Sequence, residues 1–431
     1  MKTFPRGVHP KAYKDLTESM PVVELPAPET VYVPLQQHLG KEAIPVVSKG
    51  DKVLVGQKIG DADGSISASV FSSVSGEVIG IENRVTATGR CNHVAIKNDG
   101  KYDEIKAEPL RNPSPEEIVQ RVADCGIVGM GGAGFPTAVK LKPRENLDTF
   151  IINAAECEPY LNCDYRILLE QTNEFLSGAM LMTRALGLNK FYIVTEDNKL
   201  EAAKVLSAAI EAKNIPAEVV LCQTKYPQGA EKQLIYAVTK RKVGLGKLPS
   251  SVGVTVDNAQ TALAVHYAVT EGRKSYSRVL TVSGLGIKSR GNFRVRTGTP
   301  YSYVIDYCGG ETDDAVKMIS GGPMMGFAVS DARIAVGKTT SGILLLTAEE
   351  TNLDETTSCI NCASCVRACP MNLMPVYIDS YILSGDVAGA EKYGAMSCIE
   401  CGACAYVCPA NRPLVQSIRL AKKKIKQRGR K

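Results

Sequence analysis

Cys359-Ile360-Asn361-Cys362-Ala363-Ser364-Cys365-Val366-Arg367-Ala368-Cys369-Pro370 returns further on as Cys398-Ile399-Glu400-Cys401-Gly402-Ala403-Cys404-Ala405-Tyr406-Val407-Cys408-Pro409. Cys-x2-Cys-x2-Cys-x3-Cys-Pro is the ligand run of four-iron clusters, where three thiolates wrap one cube and the fourth reaches the other. The expected metal ligands therefore cross over. Cys359, Cys362, Cys365 and Cys408 form one set, and Cys398, Cys401, Cys404 and Cys369 form the other. A structural zinc site needs neither the closely spaced third cysteine nor the Cys-Pro ending. The 28 residues between Cys369 and Cys398 exceed the connection in a small bacterial ferredoxin. A helical ferredoxin-like domain binding two [4Fe-4S] clusters is expected over 349–412, with a helical stretch around Pro375 to Tyr393. This part of the chain moves electrons.

Outside that domain, the composition bounds the rest. A chain of 431 residues, 44% hydrophobic, supports several cores and several domains. It opens with no basic-then-apolar signal sequence, and it has no apolar run near the roughly 18 residues that span a bilayer. Its fourteen cysteines are therefore read as thiols of a reducing compartment rather than disulfides. Cys91, Cys125, Cys157, Cys163, Cys222 and Cys308 are expected to be buried thiols, a third site at Cys157 and Cys163 being the minor alternative. The net charge of +6 is local: Arg419 to Lys431 carries eight Lys or Arg and no acid, and without them the balance is −2. Residues 413–431 read as a basic tail. A helix extended toward anionic lipid, a plain solvated tail and nucleic-acid binding are the alternatives; the last lacks an aromatic stacking platform.

Working back toward the N-terminus, four patterns succeed one another. Residues 21–105 hold short alternating runs such as Lys52-Val53-Leu54-Val55 between glycine turns, a small β domain. A proline-bearing linker follows, then helices alternating with apolar strands over 114–268: a capped helix from Ser114 to about Ala123, strands at Thr149 to Asn153, Phe191 to Thr195 and Glu218 to Leu221, and a helix over Lys199 to Lys213. That rhythm implies a Rossmann-like layer with a parallel sheet. Residues 275–330 form a small α+β module, with Val279 to Ser283 and Phe293 to Arg296 as a hairpin-like pair and a helix near Ser302 to Tyr307. Ser320-Gly321-Gly322-Pro323-Met324-Met325-Gly326 reads as a turn whose methionines pack into a core. The fold class is thus multidomain, α/β and α+β.

Within the second segment, Gly129-Met130-Gly131-Gly132-Ala133-Gly134-Phe135-Pro136 contains G-x-G-x-x-G, where glycine lets backbone amides approach a phosphate. A capped helix rather than a strand precedes it, so the ordinary dinucleotide fingerprint lacks its context. By itself the loop fits a phosphate cradle and a tight helix-to-helix turn equally.

Gly129 to Lys140, followed by Asn153-Ala154-Ala155-Glu156-Cys157-Glu158-Pro159, Tyr226-Pro227-Gln228-Gly229-Ala230-Glu231 and Val256-Asp257-Asn258-Ala259-Gln260-Thr261, resembles the flavin- and NADH-binding subunit of respiratory complex I over about Pro115 to Ala268. The resemblance implies FMN and NAD(H). Gly129, Gly131 and Lys140 would cradle the FMN phosphate, with Asn153, Glu156, Asp257, Asn258 and Thr261 around the flavin, and Gly132 and Tyr226 are further cofactor-binding candidates. Phe135, Glu158 and Glu231 would face the nicotinamide nucleotide. Met130, Ala155 and Ala230 stand where that family carries arginine, aspartate and glutamate, which removes charge near the cofactors.

From end to end, the chain is similar to the RnfC family, a component of the Rnf electron-transport complexes, which are membrane-bound ferredoxin:NAD oxidoreductases that pump sodium ions or protons. His38-Leu39-Gly40, Lys49-Gly50-Asp51-Lys52-Val53, Gly56-Gln57-Lys58-Ile59-Gly60 and Ser75-Gly76-Glu77-Val78 resemble its barrel-sandwich hybrid domain. No lysine lies between Asp61 and Arg84 to carry a prosthetic group, so this domain reads as a docking element. Gly284, Gly291, Gly298 and Cys308-Gly309-Gly310 resemble the β-grasp SLBB module.

The resemblance implies an electron-transfer subunit of an ion-translocating oxidoreductase, a translocase component peripheral on the cytoplasmic face of the cell membrane, whose partners include membrane-embedded subunits and whose electron flow is linked to ferredoxin. A hydride carries two electrons and a cubane accepts one, so a flavin must stand between them. No side chain need act as acid or base. Two rivals remain: a cobalamin-reductase-type flavoprotein, and a non-catalytic scaffold and electron relay that has lost nucleotide binding.

Overall fold

The computed structural model describes residues 1–143 and 145–428. The β domain is built as two small sheets. One orders Thr30–Pro34, Gly89–Asn98, Gly76–Thr86 and Lys52–Val53; the other orders Ile44–Pro45, Lys58–Asp61 and Val70–Phe71. The alternating valines point inward, so Val31, Val33, Val53, Ile59, Val78, Val94 and Ile96 form one dry core. At Gly76 the chain has φ +151°, and a Cβ there would sit 1.9 Å from the Lys97 carbonyl oxygen, so only glycine fits this crossing.

In the next domain four parallel strands run in the order Ala217–Cys222, Phe191–Glu196, Thr149–Asn153, Val254–Asn258. The last strand is the one the sequence reading did not separate from its motif. Helices cover both faces, as parallel sheets require. Phe150, Ile152 and Ile193 pack on the side of Pro115–Asp124, Thr172–Ala185 and Ala259–Thr270. Ile151, Val194 and Val256 pack on the side of Glu231–Thr239. The expected cap is present: Glu117 N donates to Ser114 Oγ at 3.2 Å, and Ser114 N donates to Glu117 Oε2 at 2.7 Å.

The third module is a six-stranded mixed sheet, in which Ser277–Ser283 and Gly291–Arg296 pair antiparallel as expected. It continues past residue 330: Gly342–Thr347 lies between Ser277–Ser283 and Ala315–Ser320, and Val22–Glu24 adds an edge. The helix Tyr301–Tyr307 covers it through Tyr301, Val304 and Ile305.

The cysteine domain is helical. The single stretch expected near 375–393 is broken at Gly385, φ +83°, into Pro375–Leu383 and Val387–Lys392. The segment set apart as a basic tail is a helix, Leu414–Arg428, and belongs to this domain: Ile418, Ala421 and Ile425 join Ile378, Ile382 and Ala390 in its core. The reason is an apolar stripe that the lysines conceal in a charge count. Residues 429–431 of that segment lie outside the described residues.

An N-terminal arm ties the domains together. Lys2 bridges to Cys222, Val8 exchanges backbone hydrogen bonds with Tyr226, Gly7 N donates to the Ala368 carbonyl at 3.1 Å, and Arg6 Nη1 donates to the Val366 carbonyl at 2.8 Å. Among the described residues no helix is long and apolar enough to cross a membrane.

Candidate cofactor and cluster sites

Folding brings cysteines of the two motifs together across the sequence. Cys369, from the first, lines a small cavity with Cys398, Cys401 and Cys404 of the second, closed by Pro370, Leu373 and Ile418. Cys408, from the second, packs with Cys365 of the first. The first quartet is enclosed: Cys369, Cys401 and Cys404 are buried. The other opens to solvent, since Cys359 and Cys362 are exposed.

Backbone amides already point at sulfur: Asn361 N to Cys359, Leu373 N to Cys369 and Glu400 N to Cys398, at 3.3 to 3.4 Å. Burial, with Cys398 and Cys369 alongside, pushes the Cys401 thiol up to about 12. Thiols crowded this way ionise together only around a cationic centre, so the donor set fits an iron cluster. Lys422 Nζ donates to the Cys398 carbonyl at 3.0 Å and pairs with Glu400 at 2.5 Å, and Arg419 pairs with Glu400 at 3.0 Å. These two cations of the C-terminal helix thus serve the cluster domain.

The glycine loop closes on itself, with Gly129 N donating to the Phe135 carbonyl at 2.9 Å. Two contacts hold it from opposite sides: Met130 N donates to Thr261 Oγ1 at 3.0 Å, and Arg278 Nη1 donates to the Met130 carbonyl at 3.3 Å. The tip, Gly131 to Ala133, is exposed, and among the described residues no acceptor meets its three amides. A Cβ on Gly131 would lie 2.9 Å from Asn258, whereas one on Gly132 would meet nothing within 4 Å. Open amides beside a bare backbone fit a phosphate.

Below the loop, Lys140 Nζ donates to the Val256 carbonyl and lies 3.2 Å from Glu231 Oε1. Burial works against its charge, but Asp257 and Glu231 outweigh that and raise its pKa. Burial pushes Asp257 up to about 6, Lys140 opposing the shift and Glu231 adding to it. Its Oδ2 is buried with no partner among the described residues, an acceptor suited to a ligand donor. Asn153 Nδ2 donates to the Gly229 carbonyl at 2.8 Å. Glu156 caps the helix Cys163–Glu170, accepting from the amides of Asp164 at 3.1 Å and Tyr165 at 3.3 Å.

Glu158 and Tyr226 point elsewhere. Glu158 accepts from Met324 N at 3.0 Å and Met325 N at 2.9 Å, and it is pushed up to about 7 by burial, those amides opposing. Gly322 allows this, because a Cβ there would sit 2.1 Å from Glu158 Oε2. The Gly321 to Gly326 turn is therefore a junction that meets the methionine-core expectation only in part: Met324 packs against the core around Tyr226, whereas Met325 is 43% exposed. Tyr226 is buried, with its hydroxyl donating to the Cys401 carbonyl at 2.6 Å. Phe135 is half-buried next to the loop.

The sequence reading missed Asp164, which accepts from Asn258 Nδ2 at 2.6 Å and Gln260 Nε2 at 3.0 Å, and the buried Arg278. Neither lies in a motif. Gln228 does: it is fully buried with both amide atoms unpartnered among the described residues, and its place inside Tyr226-Pro227-Gln228-Gly229 was the available signal.

Four domain families match in order: the RnfC barrel sandwich hybrid domain over residues 2–101, the Nuo51 FMN-binding domain over 122–267, the SLBB domain over 279–328 and the 4Fe-4S dicluster domain over 351–409. The chain is 44% identical to the C subunit of the ion-translocating oxidoreductase complex of Rhodobacter capsulatus, over 98% of this chain and 83% of that one. It is 42% identical to the C subunit of the proton-translocating ferredoxin:NAD(+) oxidoreductase complex of Clostridium ljungdahlii, over 100% and 95%. It is also 42% identical to the Na(+)-translocating counterpart of Acetobacterium woodii, over 100% and 98%. Among solved structures, a chain of an NAD+-reducing [NiFe]-hydrogenase in the H2-reduced state shares the fold at TM-score 0.52 and 18% identity, over 71% of this chain and 62% of that one.

Proposed function

The chain belongs to the RnfC family, the C subunits of ion-translocating oxidoreductase complexes, and on that footing we propose that it exchanges hydride with NAD(H) and single electrons with the ferredoxin-linked part of such a complex. It is a subunit of a multi-subunit oxidoreductase assembly and carries FMN and two [4Fe-4S] clusters. When bound, FMN supplies the conversion between two-electron hydride chemistry and one-electron cluster chemistry.

The residues here bind and orient. The amides of Gly131 to Ala133 receive the phosphate, and Gly129 and Gly132 keep the approach bare. Lys140 supplies the nearby positive charge. Asn153, Asp257, Asn258 and Thr261 fix the flavin pocket, and Glu156 holds its floor by capping the helix at Cys163. Phe135 and Glu231 stand on the side left for the nicotinamide nucleotide. Proton transfer by a side chain is not needed, so catalysis rests on position.

The observation that carries this reading is the enclosed cysteine quartet lying directly against the flavin-type domain, with Tyr226 touching Cys401. The exposed quartet at Cys359 and Cys362 is the side open to a redox partner protein. Ion translocation would reside in membrane-embedded partner subunits, the chain sitting peripherally on the cytoplasmic face. Lys423, Lys424, Lys426 and Arg428 are cations of the C-terminal helix available to anionic lipid.

A second reading, a relay without nucleotide binding, draws support from Glu158, whose carboxylate is already taken up by the Met324 and Met325 amides. Anaerobic reconstitution with FMN and iron separates the two. One FMN, eight irons and NADH-dependent dye reduction support the oxidoreductase; eight irons without flavin would leave only the relay.

A further inference from the structure

We propose that Tyr226 is a positioning residue for the cluster held by Cys369, Cys398, Cys401 and Cys404, and that its hydroxyl, donating to the Cys401 carbonyl, helps set that cluster's reduction potential. The proposal rests on the cluster reading above and adds to it a residue that belongs to the flavin-type domain.

Three observations converge on this phenol. Its hydroxyl lies 2.6 Å from the Cys401 carbonyl oxygen and 3.3 Å from Glu158 Oε1. A phenol has one proton, and the shorter contact claims it. The ring is 1% exposed and packs in a core assembled from four parts of the chain: Val8 of the N-terminal arm, Cys157 within the Asn153 to Pro159 motif, Met324 of the junction turn, and Ala368, Cys401 and Ala403 of the cysteine domain. Finally, two hydrogen bonds to Val8 fix the backbone of Tyr226, and the packed core around its ring holds the side chain in place.

In a dry environment of this kind an O–H dipole with its positive end toward a ligand residue acts at low dielectric. It favours the reduced cluster, which carries one more negative charge, and hydrogen bonding around the ligands is an established lever on cluster potential. Glu158, on the far side of the same hydroxyl, carries the opposite sign when it is ionised. The two side chains should therefore shift the potential in opposite directions. The second quartet, with Cys359 and Cys362 at the surface, receives neither influence.

The test is an EPR-monitored redox titration of the full chain, reconstituted anaerobically. Cys362→Ser first identifies the resonance of the exposed cluster, leaving the other to be followed. Tyr226→Phe should make the enclosed cluster harder to reduce by about tenfold, a midpoint lower by about 59 mV for one electron, while the exposed cluster stays within about twofold. Glu158→Gln should move the enclosed cluster upward. Unchanged midpoints in Tyr226→Phe, or equal shifts of both clusters, would overturn the proposal and leave Tyr226 a packing residue. If Tyr226→Phe does not fold, 3-fluorotyrosine at position 226 decides: a stronger hydroxyl donor should move the enclosed cluster's midpoint upward with the exposed cluster unchanged, and no shift overturns the proposal. Fewer than eight irons in the unaltered protein would instead count against the cluster reading itself.

Discussion

Asn258 Nδ2 donates to Asp164 Oδ2 across 2.6 Å, joining the end of strand Val254–Asn258 to the first turn of helix Cys163–Glu170. The same Asn258 side chain is what a Cβ on Gly131 would strike at 2.9 Å. The glycine loop, the strand end and the helix start are thus one mechanical unit.

Gly131→Ala tests that unit. The added methyl must displace Asn258, at a cost of about 1 to 3 kcal/mol if its bond to Asp164 is lost. FMN affinity, followed by flavin fluorescence quenching, should fall at least about tenfold, whereas Gly132→Ala, facing open space, should change it little. Equal effects of the two would refute the cradle.

Crossed ligation gives a second expectation. Cys408→Ser should damage the same cluster as Cys362→Ser, and Cys369→Ser the same cluster as Cys401→Ser. EPR of reduced samples reads this directly. Pairing by sequence proximity instead, with Cys369→Ser matching Cys362→Ser, would show that the crossing is wrong.

Lys338 is fully buried between three modules, its Nζ donating to the carbonyls of Gly126 at 2.7 Å and Ser69 at 3.0 Å. Burial lowers its pKa to about 7, so above that pH a neutral amine serves both bonds. Unfolded, the group keeps its proton up to about pH 10.5. Between about pH 7 and 10.5 the unfolded chain binds the extra proton, so Lys338 makes stability rise with pH in that window. Lys338→Met should lower stability by about 2 to 4 kcal/mol by orphaning two carbonyls, and it should flatten the rise in melting temperature between pH 7 and 9. A variant whose melting temperature climbs with pH as steeply as the unaltered chain would contradict this.

Asp379 is buried and accepts from Arg412 Nη2 at 2.6 Å and Ser417 Oγ at 2.6 Å, bracing helix Pro375–Leu383 against helix Leu414–Arg428. Asp379→Asn leaves the Arg412 charge without its partner and should destabilise the cysteine domain by about 3 kcal/mol. Cluster absorbance near the visible band should bleach at lower temperature, while flavin binding holds. Simultaneous loss of both would place Asp379 outside a local role.

The cysteine spacing was fully legible because ligation chemistry writes itself into adjacent residues, and the Ser114 cap and the strand at Thr149–Asn153 were legible because their periodicity is local. The packing of the Leu414–Arg428 helix into the cysteine domain was not legible: its apolar positions are few, and only the surface offered by Ile378 and Ile382 turns them into a core. The strand Gly342–Thr347 lay outside the expected β module because strand partners are chosen by long-range pairing, which no local pattern records.

By itself the sequence determined which chemistry this chain can hold: eight thiolates in two runs, a bare glycine loop and the alternation of a parallel-sheet domain. Tertiary structure alone decided which groups meet. Burial drew Asp164 to Asn258, Arg278 to the Met130 carbonyl and Tyr226 to Cys401, because a polar group removed from water must find a partner wherever the fold supplies one, however far away it lies in sequence.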